Sequence, residues 1–120
     1  LVSAVKEKYP ETEILAVGTN SAATNAMLRA GADQAATGEN SVSVAAGIAD
    51  VIMGPVGIVI ADSMLGEITP RMALAAGRSR AKRILIPVNL CDNIVVGTYD
   101  VPMSKNVQNA VEALGPLMKK

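Results

Sequence analysis

The stretch Glu13-Ile14-Leu15-Ala16-Val17-Gly18-Thr19-Asn20-Ser21-Ala22-Ala23-Thr24 decides how this chain folds. Its first half is a short apolar run of the kind that forms a buried strand, and Gly18 stops it. Its second half opens a helix over residues 20–30, with Ala23, Ala26, Met27 and Ala30 on one face and Gly31 as the stop. A strand that enters a helix through one glycine and a few small polar residues is the front half of a βαβ unit.

Reading outward, the unit repeats. Asp33-Gln34-Ala35-Ala36 is a short strand, and residues 41–49 place Val42, Ala45, Ala46 and Ala49 at helical spacing. Asp50-Val51-Ile52-Met53 is a buried strand ended by Gly54-Pro55, since Pro55 is excluded from a central ladder. Residues 56–65 read as a helix that is apolar nearly all round, with Gly66 ending it. Thr69-Pro70 restarts the chain as an N-cap followed by proline at the first helical position, and that helix runs to about Arg78. Arg83-Ile84-Leu85-Ile86-Pro87-Val88 is the clearest strand, and Ile94-Val95-Val96-Gly97 a further one at an edge. Ser104 caps a last amphipathic helix carrying Val107, Ala110, Val111 and Leu114, which Gly115-Pro116 interrupts. Toward the start, Leu1, Val5 and Tyr9 share a helical face, so the chain opens inside a helix and is expected to be N-terminally truncated. The alternation predicts one Rossmann-like α/β domain over residues 1–120. It is expected to be a three-layer sandwich with a mostly parallel sheet of four to five strands and helices on both faces.

Composition narrows the function classes. The 120 residues are 50% hydrophobic and 18% charged, too apolar for disorder. Eleven basic residues cancel eleven acidic ones, which removes the electrostatic footprint of a nucleic-acid binder. There is no His, Phe or Trp and only two Tyr, so imidazole bases, His-ligated metals and aromatic base-stacking platforms are excluded. No metal site is expected. The single cysteine permits no internal disulfide and suits a reducing compartment. Asp62 and Glu67 break the longest apolar run well short of a ~20-residue membrane span, and the start lacks a signal-peptide pattern. The expectation is a cytoplasmic chain without a membrane partner.

In parallel α/β sheets ligands lie beyond the carboxyl ends of strands, where helix N-termini project free amides. That rule selects Gly18, Thr19, Asn20 and Ser21 after the first strand, and Gly38 within Thr37-Gly38-Glu39-Asn40-Ser41 after the second. It selects Gly54 and Gly57 after the third, and Asn89 within Asn89-Leu90-Cys91-Asp92-Asn93 after the fourth. The opposite ends carry Glu11, Arg78, Arg80, Lys82 and Arg83. Each turn alone is explained by ordinary capping. Together they form a rim whose amides suit an anion, so the expected ligand is a phosphate-bearing metabolite or nucleotide. No turn matches a dinucleotide fingerprint or a Walker loop, and no cofactor is specified.

Two other classes stay open. An enzyme would use Cys91, activated by a helix N-terminus or a cation, or Glu39 as a carboxylate base. Small buried packing and helix-dipole compensation are the plainer readings of these two residues. A self-associating scaffold would use Ile58, Val59, Ile60, Met64 and Leu65, and a homo-oligomer is expected on that ground. Arg78, Arg80, Lys82 and Arg83 lie where a helix ends, which reads as dipole compensation rather than nucleic-acid contact.

The segments Ala16-Val17-Gly18-Thr19-Asn20-Ser21, Ala36-Thr37-Gly38-Glu39-Asn40, Gly54-Pro55-Val56-Gly57-Ile58-Val59, Ser63-Met64-Leu65-Gly66-Glu67-Ile68-Thr69-Pro70 and Ile84-Leu85-Ile86-Pro87-Val88-Asn89 together resemble an uncharacterised bacterial family of short α/β proteins, a domain of unknown function. The likeness covers nearly the whole chain. It implies a preceding strand and a glycine-rich turn that this sequence does not contain, and it implies no activity. A looser likeness is to the methylglyoxal-synthase-like α/β domain, where a strand ending in Gly-Thr helps hold a phosphate. The catalytic histidine of that family has no counterpart here, so only the phosphate-binding idea carries over.

Overall fold

A computed structural model describes residues 1–88, 92–98 and 100–118 of the chain. The elements follow one another as α1 (Val2–Lys8), β1 (Leu15–Gly18), α2 (Ser21–Arg29), β2 (Gln34–Thr37), α3 (Glu39–Ile48) and β3 (Val51–Pro55). A 3-10 turn (Val56–Val59) comes next, then α4 (Pro70–Arg78), β4 (Lys82–Ile86) and α5 (Met103–Met118). Four strands alternate with five helices among the described residues, and the radius of gyration of 13.7 Å is that of a compact α/β globule.

All strand pairs are parallel, but the strands do not form one sheet. β1 pairs with β2 from Leu15↔Gln34 to Gly18↔Thr37, and β3 pairs with β4 from Val51↔Lys82 to Pro55↔Ile86. The result is two separate two-stranded sheets. Two cores sandwich the second of these. Val5 of α1 and Val111 and Leu114 of α5 are buried against Val51, Met53 and Ile84, with Ile14 reaching the same cluster from just ahead of β1. Ile68 with Met72 and Ala73 of α4 packs with Val42 of α3 and with Ile58 and Met64. Successive strand residues face opposite sides. Met53 points at the first cluster, and a Cβ on Gly54 would lie 3.2 Å from Ile58, in the second. The two cores therefore cover opposite faces of β3.

Local chemistry explains most boundaries. Asn20 caps α2, its side chain accepting from the Ala23 amide at 2.9 Å, and Gly31 leaves the far end at φ +117°. Thr69 caps α4 by accepting from the Met72 amide at 3.2 Å, with Pro70 in the first position as its sequence predicts. The Arg83 guanidinium donates to the carbonyls of Ala76, Ser79 (2.8 Å) and Ala81 at the end of α4, so this cation does neutralise a helix terminus.

Five expectations are corrected. Gly54 and Pro55 do not end the third strand but lie inside β3, paired with Leu85 and Ile86, and α5 opens at Met103, so Ser104 is not its cap. The helix over residues 56–65 exists only as its 3-10 start. The Asp62 amide turns back to the Ile68 carbonyl at 2.7 Å, and the buried Ser63 hydroxyl donates to the Gly57 carbonyl at 2.5 Å. These bonds take up groups that an α-helix would pair at i and i−4. Residues 94–97 form no strand. Gly97 has φ +86°, and Thr98 donates to the Val95 carbonyl at 2.6 Å, which makes the segment a turn. Finally, α5 continues through Gly115 and Pro116 to Met118, because a proline in the last turn removes few bonds. Gly115 has a packing role instead: a Cβ there would stand 2.6 Å from the Tyr9 hydroxyl oxygen.

Candidate functional site

The rim beyond the carboxyl ends of β1, β2 and β3 is assembled around Gly18. A Cβ on this residue would lie 2.3 Å from Thr24 Oγ1 and 2.7 Å from the Thr24 amide nitrogen, so glycine lets α2 descend onto the end of β1. Thr24 is buried, and its hydroxyl lies 3.0 Å from the Asn20 carbonyl, 3.3 Å from the Ala36 carbonyl and 2.6 Å from the Thr37 hydroxyl. That bond set locks the α2 start to the ends of both strands. It holds Thr19 and Asn20 outward as the polar tip of the turn.

The tip is already engaged. The Thr19 hydroxyl and the Asn20 side-chain amide (3.1 Å) both donate to Glu67 Oε1. These bonds hold the Glu67 carboxyl below its ordinary pKa, with Thr19 the larger cause. Glu67 belongs to the folded-back segment 60–69, and the other end of that segment reaches the second turn. The Thr69 hydroxyl donates to Glu39 Oε2, while Arg71 lies 3.4 Å from Glu39 Oε1. Gly38, at φ +102°, sets the start of α3 and donates its amide to the Gly18 carbonyl at 3.1 Å.

Segment 60–69 is thus tied at Gly57 through Ser63, at the β1 turn through Glu67, and at α3 through Thr69. Its backbone is strained: Asp62, Met64 and Leu65 all have φ between +55° and +65°. For side chains of this size each such conformation costs about 1 kcal/mol or more. Leu65 is held out into solvent with 104% relative exposure.

Of the sequence-selected residues, Thr19, Asn20 and Gly57 are tied to this segment, Gly18 and Gly38 are joined by a backbone bond, and Gly54 lies beneath Ile58. Ser21 is exposed at the first position of α2. Glu39 is in the same group but is bound to Thr69 and Arg71. Asn89 and Cys91 lie outside the described residues. Of the apolar residues chosen as a contact surface, Ile58 and Met64 pack against Ile68, Met72 and Ala73. The residues that sequence reasoning did not place at this rim are Glu67, Thr69 and Ser63, whereas Thr24 was read with the first turn. Helical periodicity set Glu67 apart from the first turn, and only the folding back of segment 60–69 joins them.

A cavity of about 450 Å³ lies at the carboxyl end of β4, away from this rim. Pro87, Val88, Asn93, Val95, Thr98 and Met103 are among its walls. Lys6 donates to the Thr12 carbonyl at 2.6 Å and pairs with Asp33 at 2.8 Å, and this partner, with the Ile14 amide, keeps the Asp33 carboxyl below its usual range. No group of three or more His, Cys, Asp or Glu residues arranged for a metal occurs among the described residues, and no helix among them is long and apolar enough to cross a membrane.

No curated protein and no solved structure matches the chain. One family model does, over residues 1–119. The chain belongs to the family described as domain of unknown function DUF3842.

Proposed function

We propose that this is a small-ligand-binding domain of Rossmann-like three-layer design whose carboxyl rim takes a phosphate-bearing metabolite or nucleotide. The observation that carries the reading is the seat of Glu67. A carboxylate is held by the Thr19 hydroxyl and the Asn20 amide in front of α2, and these neutral donors stabilise its charged form. A phosphoryl oxygen asks the same of such a turn: hydroxyl and amide donors beside the positive end of a helix. In the ligated protein the phosphate takes the place of the Glu67 carboxylate, and strained segment 60–69 moves away with it. The Gly18–Thr24 contact keeps the turn preformed, so little ordering is lost on binding.

Isothermal titration calorimetry with inorganic phosphate, AMP and ATP tests this on the unmodified chain, Glu67→Gln and Asn20→Ala. Glu67→Gln is expected to bind about tenfold more tightly, because an anionic competitor becomes neutral. Asn20→Ala is expected to bind more weakly. If none of the three compounds binds either the unmodified chain or Glu67→Gln, the reading is wrong.

A further inference from the structure

Part of the surface of α4 has no cover. Met72, Ala73 and Ala76 are buried, and Arg71 on one flank is turned to Glu39 of α3. Pro70, Leu74, Gly77 and Arg78 follow one another at helical spacing and are all exposed. They line an open groove between α4 and the chain at Val59 and Ala61. Leu74 is 53% exposed there, and a Cβ on Gly77 would meet nothing within 4 Å, so the groove is apolar and has room. Of the apolar residues expected to mediate self-association, Val59 lines this groove and Leu65 does not.

The two ends of the groove carry opposite charges. Asp62 follows Ala61 in the chain, and its amide donates to the Ile68 carbonyl at 2.7 Å, one residue ahead of the Thr69 cap. That bond fixes Asp62 at the amino end of α4, while Arg78 is the last residue of the helix. Both are exposed, and neither has an ion-pair partner among the described residues. Within one chain the helix holds them apart, since its nine residues span about 13 Å.

We propose that this groove is the contact surface between two copies of the chain, related by a twofold axis that lays α4 antiparallel on its counterpart. A twofold contact needs a surface complementary to itself, and this one is. With the two Leu74 side chains at the axis, the open side of Gly77 in each copy admits Pro70 of the other. Asp62 of each copy then reaches Arg78 of the other, so the opposite charges pair twice. A parallel arrangement sets Asp62 against Asp62 and Arg78 against Arg78 and is disfavoured. The antiparallel arrangement also opposes the two helix dipoles. Two helices this short bury an area at the low end for protein contacts, so the pair forms and separates readily.

Sedimentation velocity of the 120-residue chain from about 5 µM to about 1 mM tests this. The mass is expected to rise from 12.3 kDa toward twice that value, and less steeply in about 0.5 M salt. Asp62→Arg and Arg78→Glu each set like charges together at both ends, and each is expected to weaken association about tenfold or more. Mixed in equal amounts, the two variants present opposite charges at both ends, and the mixture is expected to associate as the unmodified chain does. Leu74→Ser is expected to weaken association about tenfold, whereas Leu28→Ser, at a comparably exposed leucine of α2, leaves it unchanged. Should Asp62→Arg fail to fold by circular dichroism, Asp62→Asn, which suits the φ of 65° at this position, decides in its place with a loss of about threefold. A single 12.3 kDa species at every concentration overturns the proposal. So does association that the charge variants leave unchanged, a mixture no stronger than its components, or association lost with Leu28→Ser and kept with Leu74→Ser.

Discussion

Replacing Gly18 by alanine tests whether close descent of α2 onto β1 shapes the rim. Gly18 does not have a positive φ, so its backbone accepts an L side chain and conformation costs nothing. Removing a glycine would by itself stabilise the fold by about 0.5–1 kcal/mol through the unfolded state. The new Cβ, however, meets Thr24 Oγ1 at 2.3 Å and the Thr24 amide nitrogen at 2.7 Å, and the second of these is backbone. The first turn of α2 must back away by roughly 1 Å to restore ordinary contact. Overpacking of this kind costs about 1–3 kcal/mol. The shift also loosens the Thr24 bonds to the Ala36 carbonyl and the Thr37 hydroxyl, at about 1 kcal/mol each. The net expectation is a loss of about 2–3 kcal/mol, read as a fall of roughly 10 °C in Tm. Urea denaturation of Gly18→Ala, Thr24→Ala and the double variant checks it. The double variant should cost about 1 kcal/mol less than the sum, since the hydroxyl clash is gone and only the backbone clash persists. Gly77→Ala in α4, where a Cβ meets nothing within 4 Å, is the control and should gain about 0.5–1 kcal/mol. If Gly18→Ala unfolds within 0.5 kcal/mol of the parent, or the double variant is strictly additive, the close-approach argument fails.

Two further outcomes follow from the same geometry. Glu67 has a folded-state pKa below its ordinary value, so its tie to Thr19 and Asn20 is fully present above that value and is lost as pH falls through the depressed one. Side-chain NMR of Asn20 should stay constant from pH 7 to about 5 and move only in more acid solution; movement near neutrality contradicts the contact. Arg83→Met keeps the stem but removes the guanidinium from the α4 carbonyls, and should cost about 1 kcal/mol in urea. A cost unchanged between low salt and about 0.5 M salt would count against a charge–dipole role.

The existence and type of most elements could be read from local pattern because their causes are local. The apolar run 14–17, the Asn20 and Thr69 caps, Pro70 at a helix start and Gly31 at a helix end act within a few residues of where they stand. Arg83 was legible for the same reason: sequence alone places it next to a helix end, and its guanidinium meets the carbonyls there. Parallel pairing followed from the order of elements. The rim was legible as a set of turns, since strand ends and helix starts are fixed together.

Tertiary structure decided what depended on distant partners. Residues 56–65 have the hydropathy of a helix, but the Ser63–Gly57 and Asp62–Ile68 bonds fold the chain back, and that reversal brings Glu67 to a turn nearly fifty residues away. Gly115 and Gly18 look alike as punctuation, yet each is a close approach, one to Tyr9 and one to Thr24. The split of four strands into two sheets likewise had no local signature. Strand propensity is a property of a few residues, whereas the partner of each strand is set by how the helices dock.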